Sequence, residues 1–102
     1  MRKMDSDEIA LIHIDSEGRL CVSPKTKEFP FIYREAMEVS WDKEGKYLYS
    51  PKPRKWSYRE WYSQIIRAAQ EQGCELVVKE ETKWVNISEE LKDEILSHQA
   101  SA

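Results

Sequence analysis

Glycine, cysteine and histidine are scarce in this chain, at three, two and two among 102 residues. With so little glycine there is no phosphate-cradling loop, no dinucleotide fingerprint and no Gly-x-Ser-x-Gly elbow. The two histidines and two cysteines show neither Cys-x-x-Cys nor His-x-x-x-His spacing, so they do not compose a tetrahedral metal site. No cofactor is implied. Cys21 and Cys74 lie far apart in apolar, strand-like surroundings, which reads as two reduced core thiols and points to the cytoplasm rather than to a disulfide framework. No stretch nears the roughly 18 apolar residues that a bilayer requires, and no membrane partner is expected. The start, Met1-Arg2-Lys3-Met4-Asp5-Ser6-Asp7-Glu8, has no apolar signal region. An excess of one charge is missing too: a net charge of −3 gives no global attraction to phosphate.

What is present suffices for a core. Apolar residues make up 40% of the chain and include four tryptophans, whereas a disordered chain lacks both. A chain of this size removes roughly two thirds of its unfolded surface from water. Residues 1–102 are therefore expected as one α+β domain, with 1–8 and 98–102 as flexible ends.

The strongest pattern is a repeat. The segment from Ile12 to Lys25 returns, shifted in register, from Val39 to Lys52. Asp15-Ser16-Glu17-Gly18-Arg19 matches Asp42-Lys43-Glu44-Gly45-Lys46, and Ser23-Pro24-Lys25 matches Ser50-Pro51-Lys52. Asp-x-Glu-Gly between apolar runs suits a type I turn whose glycine takes positive φ and forms a bulge, so each copy reads as a β-hairpin. In the first, Ile14 faces Leu20, His13 faces Cys21 and Ile12 faces Val22. The same arithmetic in the second pairs Trp41 with Tyr47, Ser40 with Leu48 and Val39 with Tyr49. One face then carries Ile12, Ile14, Leu20 and Val22 together with Val39, Trp41, Tyr47 and Tyr49.

Residues 31–36 suit either a helical turn or a lead into the second hairpin. After Ser50, Pro51 and Pro53 stop the strand. Ser57-x-x-Glu60 is a capping box, with Trp56 placed to staple onto Trp61. From Tyr58 to Gln72 the residues Tyr58, Trp61, Tyr62, Ile65, Ile66, Ala68 and Ala69 fall on one stripe, and Gly73 ends the helix. Residues 74–78 and 83–86 read as a third hairpin across Lys79-Glu80-Glu81-Thr82. Ser88 caps a last helix whose stripe is Ile87, Leu91 and Ile95. The expected fold is α+β: an antiparallel sheet from repeated hairpins, a long amphipathic helix on one face and a short C-terminal helix.

Three constellations bear on function. His13 and Cys21, side by side across a strand pair, are the elements of a thiolate nucleophile. No oxyanion hole or orienting third group accompanies them, so the plainer reading is two fillers on a half-covered face. That face, with Ile9, Leu11, His13 and Cys21, is too apolar for water. Either the last helix covers it or a second copy does, giving a two-fold dimer, with Trp84 as a further contact. Finally, Lys25, Lys27, Lys52, Arg54 and Lys55 form two basic tails after equivalent hairpins. Their Ser-Pro-Lys segments are similar to those that enter DNA minor grooves, although solvated strand ends explain them as simply. Trp56 and Trp61, as stacking platforms, are better explained by the staple.

The stretch Tyr47-Leu48-Tyr49-Ser50-Pro51-Lys52-Pro53-Arg54, then Trp56-Ser57-Tyr58, Glu60-Trp61-Tyr62 and Gly73-Cys74-Glu75-Leu76, resembles small bacterial proteins, some of them carried as mobile integron gene cassettes. The resemblance covers about half the chain. It brings no catalytic motif, so no functional residue carries over, and it implies a bacterial cytosolic protein with an accessory, oligomeric role. The expectation is a non-enzymatic binding module that associates with itself, with another protein or with a small ligand. Nucleic-acid contact through the two Ser-Pro-Lys segments and a toxin-neutralising immunity role are the alternatives.

Overall fold

The computed structural model describes residues 5–36, 38–54 and 56–101. Strands β1 (Asp5–Ile14), β2 (Leu20–Pro24), β3 (Ser40–Asp42), β4 (Tyr47–Tyr49) and β5 (Cys74–Val85) form one sheet in the order β3-β4-β2-β1-β5. Helices α1 (Tyr58–Glu71) and α2 (Glu89–Ser101) and a 3-10 turn at Ile32–Arg34 complete the fold. It is α+β, as the patterning implies, but the sheet is mixed.

The first hairpin has the expected register: Ile14 opposes Leu20, His13 opposes Cys21 and Ile12 opposes Val22. Its turn is held by Asp15, whose Oδ1 accepts from the Glu17 and Arg19 amides at 3.0 and 2.9 Å. Gly18 supplies the left-handed residue at φ +82°.

The second hairpin is shifted by one. Ser40 opposes Tyr49, Trp41 opposes Leu48 and Asp42 opposes Tyr47. The cause is in the loop, where Lys46 rather than Gly45 takes the left-handed conformation, at φ +58°, and its amide reaches Asp42 O at 2.7 Å. The loop thus holds one residue more than its counterpart. A one-residue slip exchanges the two faces of a strand. Leu48 accordingly turns to the core, and Tyr47 and Tyr49 turn away from it, contrary to the expected placement, whereas Val39 and Trp41 lie on the core side as expected.

The third hairpin does not exist. Residues 74–85 are one strand, lying parallel to β1 from Asp5↔Cys74 to His13↔Val85. Parallel neighbours cannot be joined by a tight turn, and the chain reaches β5 from β4, separated from it in the sheet by β2 and β1 and running in the same direction, through α1. The polar run mistaken for a turn is a bulge: pairing passes from Ile9↔Val78 directly to Leu11↔Lys83. Buried Thr82 closes it, its hydroxyl accepting from the Lys79 amide at 2.9 Å and donating to Ile9 O at 2.5 Å. β1 itself starts at Asp5, within the stretch expected to be loose, because the Asp5 amide bonds Gly73 O and its residue pairs with Cys74. At the other end α2 continues to Ser101.

The helix starts follow the sequence closely. Ser57 and Glu60 make the reciprocal capping box, and the Trp56 and Trp61 rings meet at 4.8 Å. Gly73, at φ +88°, follows α1 and donates to Gln70 O. Ser88 Oγ accepts from the Leu91 amide. Trp61, Tyr62, Ile65, Ile66, Ala68 and Ala69 of α1 and Leu91 and Ile95 of α2 bury against Ile9, Ile12, Leu20, Val22, Leu48 and Leu76 in one cluster. Each large side chain there contributes about 1.5–3 kcal/mol. Phe29 and Ile32 seal the same side, with Phe29 edge-on to Trp41 at 5.9 Å. Both helices therefore serve one face of the sheet.

Candidate functional site

Among the described residues no helix crosses the other face of the sheet. It is built by alternation from β5, β1, β2 and β4: Val85 and Lys83, then His13 and Leu11, then Cys21 and Ser23, then Tyr49 and Tyr47. Its centre is aromatic. His13 meets Tyr47 edge-on at 5.6 Å, and Tyr47 meets Tyr49 at 5.9 Å. The Arg19 guanidinium lies over the Tyr49 ring at 4.7 Å while its Nε donates to Asp15 Oδ2 at 2.7 Å. At the edge, Val85 is 53% exposed.

The electrostatics of this face hold the protons on Cys21 and Tyr47. Burial pushes the Cys21 thiol up to about 12, and the Asp15 carboxylate beside it adds to the shift. The thiol lies 3.6 Å from Arg19 O and 4.0 Å from Asp15 Oδ2. Tyr47 is likewise raised to about 12 by burial and by the bond its hydroxyl donates to Asp42. Burial works to raise Asp15, but the Arg19 and Glu17 amides and the Arg19 guanidinium outweigh it and hold the carboxyl below its ordinary range. His13 Nδ1 is enclosed and has no hydrogen-bond partner among the described residues. His13 and Cys21 are neighbours as expected, yet the thiol is held in its protonated form, the reverse of nucleophile activation.

Of the five expected contact residues, the fold brings together Leu11, His13 and Cys21. Ile9 leaves the set: Ala10 is extra at the β1 bulge, which turns Ile9 to the helix side, where it is 1% exposed and part of the core. Trp84 also lies on the helix side, opposite Ile12, with the Lys92 ammonium 5.4 Å from its ring centre. The sequence reading missed Tyr47, Tyr49, Arg19 and Val85. Tyr-Leu-Tyr carried the signal, since of these only Leu48 is fully aliphatic and suited to a dry interior.

The basic patch does not assemble. Lys25 pairs with Glu8 at 3.6 Å and Lys27 with Asp5 at 3.0 Å, both at the end of β2. Lys52 runs beside Gly18, before the start of β2, so the length of that strand separates the two tails. Lys55 lies outside the described residues. Among the described residues no helix is long and apolar enough to cross a membrane, and no group of three His, Cys, Asp or Glu side chains gathers as metal ligands.

A mixed five-stranded sheet carrying two helices on one side and an aromatic, uncovered face on the other defines a small two-layer α+β protein. The chain matches the family model of Integron Cassette Protein Hfx_Cass5 over residues 7–82 and belongs to that family. A solved structure of Hfx_Cass5, from the mobile metagenome of the North West Arm sewage outfall, is 48% identical over 100% of this chain and 99% of its own, with a TM-score of 0.44. No curated protein matches the chain.

Proposed function

We propose that this protein is a non-enzymatic, cytoplasmic interaction module that pairs with a second copy of itself through the sheet face away from the helices. The observation that carries the reading is the composition of that face, where Leu11, His13, Tyr47 and Tyr49 stand in one patch with Arg19 over a tyrosine. Tyrosine and arginine are enriched where proteins bind one another, because each combines a broad apolar surface with a polar end. One patch pairing with the same patch of a second copy about a two-fold axis closes the assembly at two copies. The alternative of DNA contact through both Ser-Pro-Lys segments loses support from the ion pairs of Lys25 and Lys27. The immunity role has no residue that favours it.

Light scattering in dilute solution tests the proposal. A mass of twice the 12.1 kDa chain is expected. Leu11→Asp, which sets a charge in the patch without touching the helix side, is expected to halve the mass while far-UV circular dichroism stays unchanged. A wild-type chain that remains single at about 100 µM, well above the micromolar range of weak specific pairs, overturns it.

A further inference from the structure

We propose that the exposed ring of Trp56 and the cations on both sides of it form a binding site for single-stranded nucleic acid, separate from the open sheet face. The staple on Trp61 accounts for the position of Trp56 but not for its exposure, which remains 42%. Trp61 beneath it is 7% exposed and meets it at an interplanar angle of 53°, so one indole backs the other while much of the Trp56 ring stays accessible. An accessible ring of that kind stacks an unpaired base of any sequence.

Trp56 stands between two hollows. The first, about 460 Å³, is walled by Pro51, Lys52, Arg54 and Glu38 as well as by both indoles. The second, about 420 Å³, holds Arg59 and Arg67 on the outer side of α1. Lys52, Arg54, Arg59 and Arg67 make no ion pair among the described residues, unlike Lys25 and Lys27. Glu60, the acid of the second hollow, is committed to the Ser57 amide at 2.9 Å. Glu38 is the acid of the first. A chain of net charge −3 thus gathers four cations around its one strongly exposed tryptophan. Cations on both sides of a stacking plane suit a strand that passes over it, phosphates to either side, better than a single nucleotide with one phosphate group. A duplex does not fit, because its bases present no free face to the indole.

Fluorescence anisotropy with a labelled thymidine oligomer of about 12 nucleotides tests the site. Binding is expected at about 50 mM salt and should weaken steeply as salt rises. Trp56→Ala is expected to reduce affinity about tenfold and Trp56→Tyr to retain most of it, which separates stacking from loss of the staple. Arg59→Gln with Arg67→Gln, both outside the staple, should lower the salt slope by about 2, as should Lys52→Gln with Arg54→Gln. Lys25→Gln with Lys27→Gln should leave it unchanged. Absence of binding, equal affinity for a duplex or a mononucleotide, or indifference to Trp56→Ala overturns the proposal.

Discussion

Ser50 and Leu20 exchange two hydrogen bonds: the Ser50 amide donates to Leu20 O at 3.0 Å, and the Leu20 amide donates to Ser50 Oγ at 3.2 Å. The same hydroxyl donates to Pro51 O at 2.9 Å, and Ser50 and Leu20 are both fully buried. One small polar side chain thereby joins the two hairpins at the point where the second strand is stopped by proline. Its counterpart in the repeat, Ser23, is half-buried and faces Leu11 instead.

Ser50→Ala leaves the Leu20 amide without its partner in the interior. The expected cost is about 1–3 kcal/mol, the penalty for a buried donor left unmade. Urea denaturation monitored by tryptophan fluorescence measures it, and an unchanged midpoint would show that this bond does not hold the hairpins together.

Thr82 closes the β5 bulge by serving two backbone groups at once. Thr82→Val keeps the shape but orphans the Lys79 amide and Ile9 O, and a loss of about 2 kcal/mol or more is expected, whereas Thr82→Ser should retain most of the stability. Equal stabilities for the two variants would refute the role given to the hydroxyl.

His13 supplies the opposite case. Its Nδ1 is enclosed without a partner among the described residues while its ring contacts Tyr47. His13→Phe preserves the edge-on contact and removes the unsatisfied nitrogen, so stability is expected to rise by about 1 kcal/mol. A fall in the thermal midpoint would mean that the imidazole makes a bond essential to the fold.

Acid sensitivity follows from three aspartates held below their ordinary value of 3.8. Burial tends to raise Asp7 and Asp15, but amide and side-chain donors at Thr26 and Lys27, and at Arg19, prevail; Asp42 is lowered first by the Gly45 amide and then by the Tyr47 hydroxyl. A carboxyl that binds its proton less readily when folded stabilises the protein above the unfolded value and loses that contribution as pH falls through the folded one. Stability is expected to be level above about pH 5 and to decline below about pH 4. Asp7→Asn should make the acid limb shallower, and a urea midpoint that stays constant from about pH 5 to about pH 2.5 would contradict the assignment.

Thiol chemistry is expected to be silent in the native state. Cys21 and Cys74 are both buried and both shifted upward by burial. Iodoacetamide at about pH 8 should label neither until the chain is unfolded. Faster reaction of Cys21 than of a free model thiol would reopen the His13/Cys21 pair as a nucleophile.

Much of the architecture was legible because its signals are local. Asp15 and Gly18 define one tight turn, Ser57 and Glu60 define a helix start, and both act within five residues of sequence. Strand β5 was not legible in this way. Its partner, β1, lies about seventy residues earlier, and parallel pairing leaves no turn motif between the two. Lys79-Glu80-Glu81-Thr82 has the polarity of a loop, and only the buried hydroxyl of Thr82 distinguishes a bulge from a turn. The open face was half legible for a related reason. Leu11, His13 and Cys21 follow from the first hairpin, but Tyr47 and Tyr49 depend on whether Gly45 or Lys46 adopts the left-handed conformation, which composition leaves undecided.

That last detail separates the two glycines of the repeat. Gly18 is held by its backbone angle, with room enough that an added methyl would only touch the stem of Lys52 at 3.4 Å. Gly45 has no such angle; a methyl there would strike the ring of Tyr47. The two positions should therefore tolerate different histories of mutation. Asparagine can stand in for the first, while a side chain at the second becomes acceptable only after residue 47 has shed its ring, an epistatic dependence that ties a solvent loop to the aromatic surface beside it.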